Sequence, residues 1–290
     1  MIIGTRASAL ARTQTDTVVS ILRARHPELP IEVKPVRTTG DIIRDRPLGA
    51  LGGFGAFVKE LDRSVVNGEI DCAVHSLKDM PVDPTEGTVV AAVLPRASVE
   101  DILLSDVPLE QLPKGAVVGS SSIRRKMQLL SRRPDLQIKN IRGNVPTRIN
   151  KWKEGLYDAI VLARAGMDRL GLSENGFILD PEIFIPAPGQ GAIAVVCRED
   201  SEHIHRLREL DDITTRQEVG AERYVLKALG AGCSLPVGVW ARMEGEALMI
   251  MGVTFYSQKE VRAERRIAMS ELKSGLDALA AELGAGGAGP

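Results

Sequence analysis

Three clusters in this 290-residue chain combine residue types that can do chemistry. The first is His75-Ser76-Leu77-Lys78-Asp79-Met80-Pro81, which follows the apolar run Cys72-Ala73-Val74 and so sits at the end of a strand. An aspartate ahead of an X-Pro step is ordinary turn chemistry. Beside a cationic cleft, the Asp79 carboxylate would instead stabilise developing positive charge. The second cluster is Ser120-Ser121-Ser122-Ile123-Arg124-Arg125. It sets hydroxyls, backbone N–H groups and two guanidinium forks at the start of a helix, an arrangement that attracts anions. Arg142-Gly143-Asn144-Val145-Pro146-Thr147-Arg148 repeats it at the next strand-to-helix turn. The third is Cys233, in a loop of small residues (Gly230-Ala231-Gly232-Cys233-Ser234) before Pro236. An accessible thiol there suits a nucleophile or an attachment point, and no His or Asn stands near it in the manner of a cysteine protease. Cys72 and Cys197 lie in apolar strands and read as inert core thiols.

Charge supports an anionic ligand. Between Ser120 and Leu170 there are twelve Lys+Arg against four Asp+Glu, in a chain whose totals are 37 and 38. A solvated basic face is the competing reading, but these arginines gather at strand ends instead of along a helix. A polycarboxylate of small size fits best. The net charge of −1 and an aromatic content of 3% argue against a dedicated nucleic-acid binder. No Cys-x-x-Cys pair occurs, and His203 and His205 fall on different faces of a helix, so no metal site is expected. No apolar run reaches the roughly 18–20 residues of a membrane span. The opening Met1-Ile2-Ile3-Gly4-Thr5-Arg6 lacks a basic segment followed by an apolar one, so a cytoplasmic protein is expected.

The elements that must position these clusters alternate between short apolar strands and amphipathic helices. Met1–Gly4 reads as a strand, Ser8 as the cap of a helix to His26, and 31–37 as a second strand. A glycine-rich loop, Leu48–Gly55, precedes a helix with Phe57, Leu61 and Val65 on one face. Strands at 71–75 and 88–94 complete a βαβαβ order, which predicts a mostly parallel, doubly wound sheet. A second run has strands at 116–119, 136–141 and 158–163, with helices at 120–132, 145–153 and around Met167 and Leu170. Residues 181–188 form a proline-rich connector, and 191–197 a strand that could return to the first sheet. After Asp211 come a helix at 214–229, three strands and a closing helix, an α+β tail. The expected division is 1–96 with 190–210, 97–189, and 211–290. Two α/β lobes imply ligand binding at the carboxyl ends of their strands.

Seven segments, in order along the chain, resemble the porphobilinogen deaminase (hydroxymethylbilane synthase) family. They are 4–11 (Gly-Thr-Arg-Ala-Ser-Ala-Leu-Ala), 57–61 (Phe-Val-Lys-Glu-Leu), 73–81, 119–125, 142–148, 186–192 (Pro-Ala-Pro-Gly-Gln-Gly-Ala) and 230–238. The resemblance implies two lobes like type II periplasmic binding proteins and a small C-terminal α+β domain. It implies head-to-tail condensation of four porphobilinogen molecules with release of ammonia, on a dipyrromethane cofactor thioether-linked to Cys233. Asp79 matches the catalytic aspartate. Arg6, Ser8, Arg124, Arg125, Arg142, Arg148 and Arg169 match carboxylate binders, which suits pyrroles that each carry an acetate and a propionate. Lys78 and Ser122 match cofactor-side contacts, Ser76 joins the cofactor- or substrate-binding set, Lys59 matches a basic residue near the cleft, and Gln190 lies in the segment crossing between lobes. The family expectation is a monomer. In two places the chain departs from the pattern: Phe54 stands where bacterial relatives often have lysine, and Glu100 where arginine is often found. The competing function is a non-catalytic two-lobed polycarboxylate-binding protein, which would need the arginines but neither Asp79 nor an accessible Cys233.

Overall fold

A computed structural model of the protein describes residues 1–36, 58–230 and 235–284. The chain forms two compact units, Met1–Ala97 with Gly191–Gln217, and Ser98–Gln190 with Glu218–Pro290.

In the first unit the strands are β1 (Ile2–Arg6), β2 (Glu32–Val36), β3 (Cys72–Ser76), β4 (Thr88–Val93) and β10 (Ile193–Arg198). They lie in the order β2-β1-β3-β10-β4. β1 runs parallel to β2 and β3, while β10 is antiparallel to both of its neighbours. The returning strand expected at 191–197 therefore does enter this sheet, and it interrupts the parallel run. Alternation along the strands covers both faces. Ile3, Cys72 and Val74 pack with Val18 and Leu22 of α1 (Ala9–Arg25), whereas Ala73 packs with Leu61 and Val65 of α2 (Lys59–Val66). Ser8 caps α1, its hydroxyl accepting from the Ala11 N–H at 3.3 Å.

Cys72 and Cys197 face each other in register across β3 and β10, both fully buried. Burial, reinforced by Cys197 and Asp71, pushes the Cys72 thiol far above its ordinary value. Such a thiol is core filler. Cys72→Ser is expected to cost about 1–3 kcal/mol, the usual penalty for an unpaired buried hydroxyl, read as a lowered urea midpoint with unchanged slope.

The second unit repeats the pattern. Its strands β5 (Asp101–Leu104), β6 (Val117–Gly119), β7 (Gln137–Lys139), β8 (Ala159–Ala163) and β9 (Phe177–Leu179) are ordered β7-β6-β8-β5-β9. Again three strands run parallel and the next, β5, is antiparallel to both neighbours. β5 and β9 are absent from the sequence reading, because runs of four and three residues are too short for periodicity to mark. The faces alternate here too. Leu103 and Val161 pack with Leu129 of α3 (Ile123–Arg132). Ile102, Leu104, Ile160 and Leu162 pack with Ile149 of α4 (Val145–Lys153) and Met167 of α5 (Arg164–Arg169).

Beyond the short α6 (Ile204–Arg208) of the first unit lies α7 (Ile213–Ala228). The C-terminal part is an antiparallel sheet of β11 (Gly238–Glu244), β12 (Ala247–Tyr256) and β13 (Lys259–Ala268), with α8 (Leu272–Gly284). One face packs on α7 and α8. Met251, Val253 and Phe255 pack instead with Ile185 and Met127. At the start of β11 the Val239 N–H bonds the Pro186 carbonyl at 3.1 Å. A Cβ on Gly238 would stand 2.6 Å from the Ile185 carbonyl oxygen, so the backbones meet there only because residue 238 is glycine. The buried Glu222 of α7 fastens the same region, accepting from Gly189 N–H at 2.7 Å and Ala241 N–H at 2.9 Å.

Candidate active site

Parallel strands bring their carboxyl ends to one edge of a sheet, and ligands of open α/β sheets bind there. In the first unit that edge carries Arg6 and Ser8 from β1, then Ser76, Lys78 and Asp79 from β3. Lys78 and Asp79 occupy a 3₁₀ turn, Leu77–Asp79, and both are half-buried. The Leu77 N–H bonds the Ala192 carbonyl and the Met80 N–H closes on the Leu77 carbonyl, which fixes the turn between them. Ser76 exchanges hydrogen bonds with the Gln14 side chain of α1 at 2.8 and 3.1 Å. Lys59 is exposed at the first position of α2. Arg6 is half-buried at the last position of β1.

In the second unit three turns share one edge. After β6, Ser122 caps α3, its hydroxyl accepting from the Arg125 N–H at 3.4 Å. The helix starts at Ile123, three residues later than the sequence suggests, because Ser120 and Ser121 are committed elsewhere. Ser120 Oγ accepts from the Ser122 N–H, and Ser121 Oγ donates to the Ile141 carbonyl at 2.7 Å. That second bond stitches the first basic turn to the next. After β7, Asn144 caps α4 through the Thr147 N–H at 2.9 Å. Gly143 there has φ +113°, and a Cβ would collide with Thr147 at 2.6 Å, so the Arg-Gly-Asn turn requires its glycine. Arg142 and Arg148 flank this turn half-buried, with Arg148 Nε donating to the Gly143 carbonyl at 2.8 Å. Arg169 ends α5, and burial lowers its guanidinium from the ordinary value against the opposing pull of Asp168.

Arg124 and Arg125 differ from the other arginines. Sequence groups them with the carboxylate-binding forks, but both are buried and protein groups fill those forks first. Arg124 Nη2 meets Asp101 Oδ2 at 2.8 Å and Arg125 Nη2 meets Asp101 Oδ1 at 2.7 Å. Their Nη1 atoms donate to the carbonyls of Ile185 and Val161 at 2.7 and 2.9 Å. Gln190 Nε2 adds a third bond to Asp101 at 2.8 Å and another to the Val99 carbonyl. Burial alone would raise the Asp101 carboxyl. The two guanidinium charges and the bonds from Arg125 and Gln190 outweigh that and hold it far below the carboxylate range. Sequence reasoning missed Asp101 because it lies well ahead of the basic stretch that begins after Ser120. Its signal was an acidic residue opening an apolar run, Asp-Ile-Leu-Leu.

Glu100, the departure from the family pattern, lies near Arg164 (3.8 Å), which is also 3.7 Å from Asp168. Phe54 and Cys233 lie outside the described residues.

Each unit is thus an α/β layer with cationic side chains at its carboxyl strand ends, and the first also holds a carboxylate, Asp79. The arrangement defines an α/β protein equipped to hold anionic groups. Comparison with known proteins makes that specific. Residues 1–206 match the family model described as "Porphobilinogen deaminase, dipyromethane cofactor binding domain", and residues 216–285 its C-terminal domain. The chain is 47% identical over 255 residues to the porphobilinogen deaminase of Xanthomonas oryzae pv. oryzae, covering 87% of this chain and 84% of that protein. It is 44% identical over 271 residues to the probable porphobilinogen deaminase of Archaeoglobus fulgidus, covering 92% and 91%. The chain belongs to the porphobilinogen deaminase family. Among solved structures, the Bordetella pertussis BvgS periplasmic VFT2 domain overlays with a TM-score of 0.41 at 17% identity, over 72% of this chain and 85% of that one. A likeness that slight bears on neither ligand nor activity. Among the described residues, no helix is long and apolar enough to cross a membrane.

Proposed function

We propose that the chain is the transferase that joins four porphobilinogen molecules head to tail, releasing ammonia, to give hydroxymethylbilane on a dipyrromethane primer held by Cys233. The observation that carries this reading is Asp79, a half-buried carboxylate fixed in a turn at a strand edge that also bears Arg6 and Lys78. The donor set fits a primer bearing carboxylates: two capped helix starts stitched together by Ser121, with Arg142 and Arg148 beside the second. When bound, the primer supplies a pyrrole carbon nucleophile and a tether for the growing chain.

In this reading the Asp79 carboxylate stabilises the positive charge that spreads onto a pyrrole nitrogen as the amine departs, and it accepts a proton afterwards. Arg6, Arg142, Arg148 and Arg169 pair with acetate and propionate groups, where planar guanidinium forks match carboxylates in pairs. Lys78, Ser76, Ser122 and Lys59 are further polar contacts, and Ser8, whose oxygen accepts the capping bond, keeps its hydroxyl proton to donate to a ligand carboxylate. Arg124, Arg125 and Gln190 act mainly through charge and framework, since their side chains already hold Asp101 and backbone carbonyls. The reading divides the chain into three domains, 1–96 with 190–210, 97–189 and 211–290. It makes the protein a cytoplasmic monomer whose partners are small molecules.

Intact mass tests the assignment. The purified protein is expected to exceed its polypeptide mass by two linked pyrrole units, mapped to the Cys233 peptide. Cys233→Ser is expected to fold, lack that excess and not turn over, because a hydroxyl is a far poorer nucleophile than a thiolate. A bare polypeptide mass in an active preparation would overturn the attachment role.

A further inference from the structure

His75 lies on β3 four residues before Asp79, and Thr85 lies six residues after it. Both bind the same carboxylate. Asp62 of α2 is 1% exposed, and its Oδ1 stands 2.9 Å from Nε2 of His75, itself 5% exposed. An ionised carboxylate only accepts, so Nε2 carries the proton and donates. Thr85 Oγ1 donates to Asp62 Oδ2 at 2.6 Å. Thr88 then locks Thr85, its hydroxyl and its N–H both bonding the Thr85 carbonyl, at 2.6 and 3.0 Å. Asp62 is itself anchored, for its helix buries Leu61 and Val65 against the sheet and its N–H bonds the Val58 carbonyl.

We infer that Asp62 is a positioning residue for the reaction: it clasps both ends of the segment 76–84 and so fixes Asp79 at the strand edge. The physical reason is local. The sheet already holds the His75 end through β3, and Asp62 ties the returning end at Thr85 to that fixed point, so the loop between has met part of its closure entropy in advance. Electrostatic stabilisation depends on such preorganisation, since a carboxylate that must move to meet the developing charge loses much of its effect. Thr85 belongs to no matched motif segment, and nothing in its local sequence announces a link to Asp62. The arrangement is not a nucleophile triad, because the threonine hydroxyl points at the carboxylate and not at the imidazole. This inference rests on the reading of Asp79 as the catalytic carboxylate.

The decisive variant is Thr85→Val, at a half-buried position where a methyl replaces the hydroxyl without changing shape. On protein confirmed by mass to carry the primer, kcat is expected to fall by about tenfold, on the scale that small misplacements of reacting groups produce. KM and the loaded fraction should stay near wild type, and Thr85→Ser should restore kcat because it returns the hydroxyl. Asp62→Asn should show the same split with a larger fall, since its amide nitrogen, a donor, stands where a carboxylate oxygen accepted and so faces one of the two donors. If Asp62→Asn does not fold, Thr85→Val and its serine counterpart decide alone. A wild-type kcat in Thr85→Val, or a fall that serine does not rescue, would overturn the clasp. Failure of the underlying reading shows separately, as an Asp79→Asn variant that runs normally.

Discussion

Replacing Asp79 by asparagine is expected to slow porphobilinogen consumption by about 10²–10³-fold while leaving the primer in place, the usual loss for one preorganised electrostatic group. The substitution preserves shape at the end of the 3₁₀ turn, and the turn itself is held by backbone bonds that do not involve the side chain. An amide oxygen can still accept from a pyrrole N–H, so binding survives better than chemistry. What disappears is the negative charge opposite the cation formed when the amine leaves. Glutamate keeps the charge at a displaced position and should retain more activity than asparagine. The measurement is single-turnover consumption by protein shown by mass to be loaded, which separates chemistry from primer assembly. Rates within threefold of wild type for asparagine would make Asp79 a turn residue, and the catalytic group would then lie elsewhere.

Much of the scaffold was legible because it rests on periodicity. The helices capped by Ser8 and Asn144 and the three-strand tail carry four-spaced or alternating apolar residues, and the strands ending at Ser76 and Ala163 carry unbroken apolar runs, all within a few positions of their observed bounds. What could not be read is what depends on distant pairing. β5 is a four-residue run whose place in the sheet is set by neighbours β8 and β9, and its antiparallel sense follows from chain connectivity, not from composition. The site divides the same way. Motif positions located Asp79 and the basic turns, but residue type alone cannot say whether an arginine faces a ligand or a buried aspartate. Arg148 and Arg125 look alike in sequence. One bonds its own turn half-buried, and the other is sealed against Asp101, 24 residues away along the chain.

That difference sets the largest stability effect expected in the second unit. Asp101→Asn should destabilise it by about 3–5 kcal/mol, the range for removing one partner from a buried ion pair. The asparagine oxygen can satisfy one guanidinium, but its amide protons then face the other, and two buried cations lose the counter-ion they share. Because β5, β8, α3 and the carbonyl of Ile185 all meet in this network, the loss should appear as unfolding of the packed unit and not as fraying of one turn. Arg148→Leu, at a half-buried position outside the cluster, should instead leave the melting temperature nearly unchanged while weakening primer assembly. The pH dependence gives an independent check. The Asp101 carboxyl is held below its unfolded value of about 3.9, so its stabilisation is complete at neutral pH and fades as pH falls below that value toward the folded one. The gap in stability between wild type and Asp101→Asn should therefore be widest near neutrality and narrow in acid, measured by denaturant unfolding across that range. A gap that stays constant down to pH values well below about 3.9 would mean that Asp101 acts by shape alone, and that the charge on the Arg124–Arg125 pair is balanced by some other group.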